Sequence, residues 1–363
     1  MSKVLFLVNH DVVIYNFRLE LVERLLQDGH QVMISSPYGE RIEDLKALGC
    51  SYYPVELSRH GMNPVEELKL LNSYLKLIRE VKPDIVFTYT IKPNIYGGMA
   101  CAMLGVPYVV NITGLGTAVE NGGPVQKITV MLYRMALAKV QRVFFQNEEN
   151  RQFFVDRKLA LDKHGMLPGS GVNLNRFTPL EYPGEETTEF VFISRIMKEK
   201  GADQYLEAAE HIRAKYPNTR FHICGFCEQA YEERLKELQD KGVIIYHGMV
   251  RDVRQVIAKT HCTIHPTYYP EGLSNVLLES AACGRPLITT DRSGCREVID
   301  DGVNGFVVEQ KNAQDLIAKI EKFLSLDHET RKAMGQAGRA KVEREFDRQI
   351  VVEAYVKELE SVC

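Results

Sequence analysis

Phe190-Val191-Phe192-Ile193-Ser194-Arg195-Ile196-Met197-Lys198-Glu199-Lys200-Gly201 decides how the fold is read. Four consecutive apolar residues suit a strand buried on both faces, the kind found in parallel sheets. A polar loop follows, then a helical pattern from Gly201 to Lys215 and a second short strand, Arg220–Cys224. Strand, crossover helix and strand make a parallel β-α-β unit. Downstream the rhythm continues with a helix near 229–241, Val243–Tyr246, a short helix from Asp252, Cys262–His265 and a helix near 274–283. Leu287–Thr290, Gly305–Val308 and two helices ending near Leu359 complete it.

Upstream the same alternation has already run once. Val4–Val8, Val32–Ser35, Tyr52–Val55, Ile85–Thr88, Tyr108–Asn111 and Val143–Phe145 read as strands, with helices near 17–28, 64–81, 95–104, 124–140 and 147–158 between them. Pro168–Glu189, with its prolines, glycines and glutamates, breaks the pattern as a linker does. The expected fold is α/β, two doubly wound Rossmann-like domains facing across a cleft. The first covers 1–178, the second 179–346, and a helix over 347–363 packs back on the first. Ligands of open parallel sheets bind beyond the carboxyl ends of the strands, so chemistry is sought there.

The chain has 363 residues, enough for two domains with full cores. Its 45 Lys and Arg against 48 Asp and Glu give a net charge of −3, which provides no global field for nucleic acid. Eight cysteines lie scattered in mostly apolar surroundings, as reduced thiols do, and Cys224-Gly-Phe-Cys227 has no second pair at zinc spacing. The first strand is too short for a signal-peptide core, and no run approaches the ~18 apolar residues of a membrane span. A cytoplasmic protein is expected. No G-x-G-x-x-G follows the first strand, and no Walker A, H-E-x-x-H or G-x-S-x-G motif occurs.

Two loops carry candidate chemistry. Arg195 and Lys200 place a planar donor fork and a point charge five residues apart on a loop that opens a helix, a combination suited to a diphosphate. Further on stands Pro270-Glu271-Gly272-Leu273-Ser274-Asn275-Val276-Leu277-Leu278-Glu279-Ser280-Ala281-Ala282-Cys283-Gly284. Ser274 is placed to cap a helix ending at Gly284. Glu271 precedes the helix and Glu279 lies within it, so both carboxylates can address one crevice. Glu279, flanked by apolar residues, needs polar partners such as sugar hydroxyls.

Glu271 and Glu279, with Arg195…Lys200 before them and Gly294-Cys295-Arg296-Glu297…Gly302-Val303-Asn304-Gly305 after, closely resemble the retaining family 4 glycosyltransferases of GT-B fold. Gly171-Val172-Asn173-Leu174-Asn175-Arg176-Phe177 adds the linker signature. Tyr15-Asn16-Phe17-Arg18, Ser58-Arg59-His60-Gly61-Met62-Asn63-Pro64, Lys92-Pro93-Asn94 and Gly114-Leu115-Gly116 look like the bacterial branch of N-acetylgalactosaminyltransferases acting on undecaprenyl-diphosphate-linked glycans. The resemblance implies an acceptor-binding first domain and a second that binds a nucleotide sugar. In it Arg195 and Lys200 hold the donor diphosphate and Glu271 contacts the transferred sugar, the three forming the catalytic set. Glu279 takes the ribose hydroxyls, with His247, Val250, Gly272, Leu273 and Ser274 completing the donor site. Asn16, Arg18, Arg59, Lys92 and Thr113 are acceptor candidates. Thr113 stands where many members carry a His, so no general base is assigned, and retention is explained by the leaving phosphate taking the acceptor proton.

No cofactor and no metal are implied beyond the UDP-sugar substrate, and the sequence lacks Asp-x-Asp. The 124–140 helix is apolar over most of its surface, with Lys127, Arg134 and Lys139 in one sector, as on a helix at anionic lipid; a domain helix with one solvated stripe reads the same way. The expectation is a UDP-GalNAc-type hexosyltransferase at the inner face of the cell membrane, acting on a lipid-linked saccharide. A nucleotide-sugar epimerase of GT-B shape and a non-catalytic nucleotide-sugar-binding subunit are the rivals.

Overall fold

The apolar runs become strands because each is covered on both faces. In the computed structural model, which describes residues 1–57, 63–116, 119, 122–227 and 229–362, Lys3–Leu7 (β1), Gln31–Ser36 (β2), Ser51–Pro54 (β3), Ile85–Tyr89 (β4), Tyr108–Ile112 (β5), Arg142–Phe145 (β6) and His164–Met166 (β7) form one sheet. Its order is β3-β2-β1-β4-β5-β6-β7, and every pairing is parallel. Thr188–Ile193 (β8), Thr219–Cys224 (β9), Ile244–Tyr246 (β10), Cys262–His265 (β11), Leu287–Thr290 (β12) and Gly305–Val308 (β13) form the second, in the order β10-β9-β8-β11-β12-β13, again all parallel. Β-branched and aromatic residues fill the central strands, which are buried over nearly their whole length.

The chain divides into two compact units, 1–171 with 348–363, and 172–347. Residues 172–178, read from sequence as part of the first domain, lie in the second: Val172 and Phe177 are buried with Val191, Leu277 and Val342. The helix Arg348–Glu360 belongs to the first unit. Its Val351, Val352, Tyr355 and Leu359 are buried with Val4, Phe6, Phe87 and Tyr89, and the Tyr355 hydroxyl lies 2.7 Å from Asn111 Nδ2.

Three short elements depart from the sequence reading. The loop expected after β1 is the helix Asp11–Phe17, begun by His10, whose ring accepts the Val12 N–H at 3.2 Å. Arg18 separates it from the helix Leu19–Gln27, the one expected near 17–28. Ile42–Ala47 and β7 are too short to print a periodicity. The helix expected over 124–140 runs Gly123–Ala136.

Candidate functional site

In the second sheet the strand order reverses between β8 and β11, which lie side by side with Phe190 opposite Cys262 and Val191 opposite Thr263. Chains leaving such neighbours diverge to opposite sides and open a crevice at their carboxyl ends. Here the two exit loops are tied together at their base. Glu199 O accepts the Tyr268 N–H at 2.9 Å and the Thr267 hydroxyl at 3.3 Å. Gly201 has φ +80°, and any Cβ there would run into the Pro266 carbonyl, so glycine is required for the approach.

That stitching fixes the cations. Lys200 closes the turn Lys198–Lys200 and is buried at 8% exposure, with its ammonium ion-paired to the Glu271 carboxylate. A buried charge persists only when paired, which Glu271 supplies in the absence of a ligand. The Tyr269 ring lies beside both positive groups, its centroid 4.7 Å from Lys200 Nζ and 5.6 Å from the Arg195 guanidinium carbon. Arg195 is exposed. One ammonium, one guanidinium and one carboxylate therefore meet over one ring at the switch point.

Glu271 is held from behind by the loop after β12. Gly294, at φ +90°, brings its backbone so close that a Cβ would stand 2.9 Å from Glu271 Cβ. Its carbonyl accepts the Ser274 N–H at 2.7 Å, while its own N–H donates to Glu297 Oε2 at 2.7 Å. Ser274 occupies the position before the helix Asn275–Ala282, but its hydroxyl makes no capping bond; the expected cap is absent, and Ser274 is instead tied through its own N–H to Gly294. Gly272, Leu273 and Ser274 are buried. Glu279 is half-buried on the same helix, beside the fully buried Leu278 and Ser280. At the end of β11 sits His265, fully buried, with neither ring nitrogen hydrogen-bonded; burial, and then the charge of Lys200, push its pKa down to about 3.

His247 follows β10 and is exposed, with Val250 half-buried three residues on. The His247 Nε2 lies 2.9 Å from His222 Nδ1, and His222 Nε2 lies 2.7 Å from Glu189 Oε2. Burial, then the neighbouring His222 and Lys259, lower the His247 pKa. Burial alone would raise the Glu189 carboxyl, but the bond to His222 and the charges of His222 and Arg220 hold it below the usual range.

The first unit's candidates do not assemble in the same way. Arg18 is not on an edge loop; it is buried at 2% exposure, with its guanidinium 5.0 Å from the Tyr89 ring centroid and 5.7 Å from that of Tyr355. Lys92 Nζ lies 2.6 Å from Glu67 Oε1, so its charge is already matched. Asn16 is exposed, and its carbonyl accepts from the Arg348 guanidinium at 3.2 Å. Thr113 is half-buried just past β5. Arg59 lies outside the described residues. Among the described residues no group of three or more His, Cys, Asp or Glu is placed to hold a metal ion, and no helix is long and apolar enough to cross a membrane.

Sequence reasoning missed Tyr269, His222 and Glu189. Tyr269 stands two residues before Glu271, and a histidine inside the apolar run Phe221–Cys224 is an interruption that could have drawn attention.

Comparison with known proteins places these features. Residues 3–147 match the family model described as Glycosyl transferase 4-like, and residues 181–341 match Glycosyl transferases group 1. Over 369 aligned residues the chain is 25% identical to the N,N'-diacetylbacillosaminyl-diphospho-undecaprenol alpha-1,3-N-acetylgalactosaminyltransferase of Campylobacter jejuni, covering 97% of this chain and 96% of that enzyme. A glycosyltransferase of Rickettsia africae shares the fold with a TM-score of 0.83 at 20% identity, over 99% of this chain and 98% of that one. Anabaena Alr3699/HepE, solved in complex with UDP, does so at 0.81 and 17% identity, over 99% and 100%. Two parallel sheets, a basic switch point in the second, and one matched family model in each half agree: the chain belongs to the glycosyltransferases, joining a glycosyl transferase 4-like unit to a group 1 unit in the GT-B fold.

Proposed function

We propose that the protein is a hexosyltransferase that moves an N-acetylhexosamine, in the first instance N-acetylgalactosamine, from a UDP-sugar to a polyprenyl-diphosphate-linked saccharide, with retention and without a metal ion. The observation that carries this is the Lys200–Glu271 pair on the Tyr269 ring at the β8/β11 switch point, with Arg195 exposed beside it. The activity of the similar Campylobacter enzyme supports the sugar and the acceptor class.

In this reading the donor diphosphate draws Lys200 away from Glu271 and bridges it to Arg195. The two cations hold the negative charge that grows as the sugar–phosphate bond breaks, which is the work a metal ion does elsewhere. Glu271, released from Lys200, faces the transferred sugar, and Glu279 takes the ribose hydroxyls. Gly272, Leu273 and Ser274 shape the floor, and His247 with Val250 flanks the base. The acceptor hydroxyl attacks from the face the diphosphate leaves, and its proton passes to the leaving phosphate oxygen, so configuration is retained with no separate base. The carboxylate pair geometry of glycosidases is not needed.

The acceptor residues proposed in the first unit are Asn16, Thr113 and Lys92, the last on release from Glu67, together with Arg59; the buried Arg18 supports their helices instead. Ile128, Met131 and Met135 are exposed along the helix Gly123–Ala136, interspersed with Lys127 and Arg134. An apolar stripe with cations supports contact with anionic lipid at the inner membrane face.

The test is UDP release from a panel of UDP-sugars, with and without undecaprenyl-diphosphate-linked saccharide and with and without chelator, and the product's anomeric configuration read by NMR. Release that needs acceptor, ignores chelator and gives an α-linked product is expected. Acceptor-independent release or donor interconversion overturns transfer in favour of hydrolysis or epimerisation.

A further inference from the structure

At the β10 edge of the second sheet a line of polar side chains replaces the apolar pattern. The register sets Val191 opposite His222 and His222 opposite Ile245, so Glu189, two residues before Val191, and His247, two after Ile245, lie on the same sheet face as His222. The chain of contacts runs from Glu189 Oε2 to His222 Nε2 at 2.7 Å and from His222 Nδ1 to His247 Nε2 at 2.9 Å, with the two imidazole planes within 11° of parallel and their centroids 5.2 Å apart. It begins at the shielded start of β8 and ends on an exposed ring past the carboxyl end of β10. That end adjoins the exits of β9 and β8: Gly225 N donates to Gly248 O at 2.8 Å and Ser194 N to Cys224 O at 3.0 Å, one residue from Arg195.

These contacts settle where the protons sit. A neutral imidazole has one N–H and one lone pair, and an ionised carboxylate only accepts. His222 Nε2 therefore carries hydrogen for Glu189, and its Nδ1 is a lone pair. The hydrogen in the next contact must come from His247 Nε2, which leaves His247 Nδ1 a lone pair on the exposed ring. We propose that Glu189 and His222 are positioning residues that lock His247 in its Nε2–H tautomer, making its Nδ1 a hydrogen-bond acceptor that selects a nucleotide presenting a donor at this rim. The selection rests on the donor site proposed above; the tautomer does not. A donor there is either the imide N3–H of uracil or a ribose hydroxyl, and cytosine, with a lone pair at N3, is refused by the first.

The other charged and titratable groups facing the line are Arg220, 3.2 Å from Glu189 Oε1, His261, whose Nδ1 accepts the Glu189 N–H at 3.0 Å, and Lys259 near His247.

The experiment is ¹⁵N–¹H long-range correlation of the histidine rings in the full chain at pH 7.5, with UDP titration beside it. The expected wild-type signature is a single Nε2–H tautomer for His247. In Glu189→Gln, Arg220 keeps the amide oxygen and turns the amide N–H₂ toward His222, so the line reverses and His247 shifts to Nδ1–H; UDP affinity is expected to fall about tenfold, the scale of one neutral hydrogen bond. In the wild type, N3-methyl-UDP losing about tenfold identifies the imide, and 2′- or 3′-deoxy-UDP doing so identifies a hydroxyl. A wild-type His247 in the Nδ1–H form or a mixture overturns the proposal, whether or not the variant folds. UDP affinity unmoved by all three analogues overturns the selection. UDP failing to bind at all, with the tautomer as expected, sinks the donor-site reading instead.

Discussion

Each unit reverses its strand order at one point, β1/β4 in the first and β8/β11 in the second, and each place holds a lysine–glutamate pair in a different setting. Beside β1 the chain enters a helix at once, and the fully buried Asp11 accepts the Arg41 N–H at 2.6 Å; beyond β4, Lys92 is spent on Glu67. Beside β8 and β11, Lys200 is likewise paired with Glu271, but Arg195 is exposed beside it and the Tyr269 ring lies against both cations. Topology gives a crevice in both. What separates them is the exposed guanidinium and the ring.

If that contrast is right, Lys200→Ala is the most damaging change, lowering kcat/KM for donor at least a hundredfold, the scale of removing a charged stabiliser of the leaving group. Steady-state kinetics with UDP release checks it. A loss under tenfold would make the second switch point no more chemical than the first. The ends of the neighbouring strands supply the next contrast, since β4 ends in Tyr89 and β11 in His265. Burial raises the Tyr89 pKa, so it stays neutral throughout the acid range. His265 in the folded chain takes a proton only near pH 3, whereas an unfolded His does so near 6.5. Between those values the unfolded chain binds more protons, so this stability is full above about pH 6.5 and is lost as pH falls toward 3. Urea unfolding at pH 7 and pH 5 should show the decline, and His265→Asn should flatten it.

A smaller effect sharpens the role of the ring. Tyr269→Leu should raise the donor KM about fivefold, as loss of a cation–π platform worth roughly 1 kcal/mol does, while Tyr269→Phe stays within twofold. Equal effects from both would put the hydroxyl, not the ring, in charge. Smallest of all, Lys92→Met should leave UDP affinity within twofold by calorimetry. A tenfold change there would erase the division of labour between the units.

The sheets were legible because continuous apolar runs can only be buried strands, and Phe190–Ile193 is already enough to set the pattern. The helix Asp11–Phe17 was not, since its start depends on a histidine ring taking the place of the usual Ser, Asp or Asn cap. In the site, Arg195 and Lys200 stand out by residue type and spacing, and Glu271 through the family resemblance. Tyr269 does not, because an aromatic beside proline looks like core until its neighbours in space are known. Arg18 shows the opposite error: a cation reads as a candidate for an anionic ligand, but two rings from distant segments enclose it. Glu189, His222 and His247 are joined only by cross-strand register, which no single segment displays.

The helix Arg348–Glu360 carries a consequence for how the protein is made. Tyr355, fully buried against Phe87, Tyr89 and Phe144, leaves the ribosome only after the whole of the second unit, whereas the strands it covers precede that unit. The second unit is complete in sequence by Asp347, so it can close while the earlier half still waits with an open apolar face. Synthesis thus leaves the amino-terminal half as the one a chaperone must shelter, and a variant lacking the helix Arg348–Glu360 should send that half, not the second unit, into aggregates.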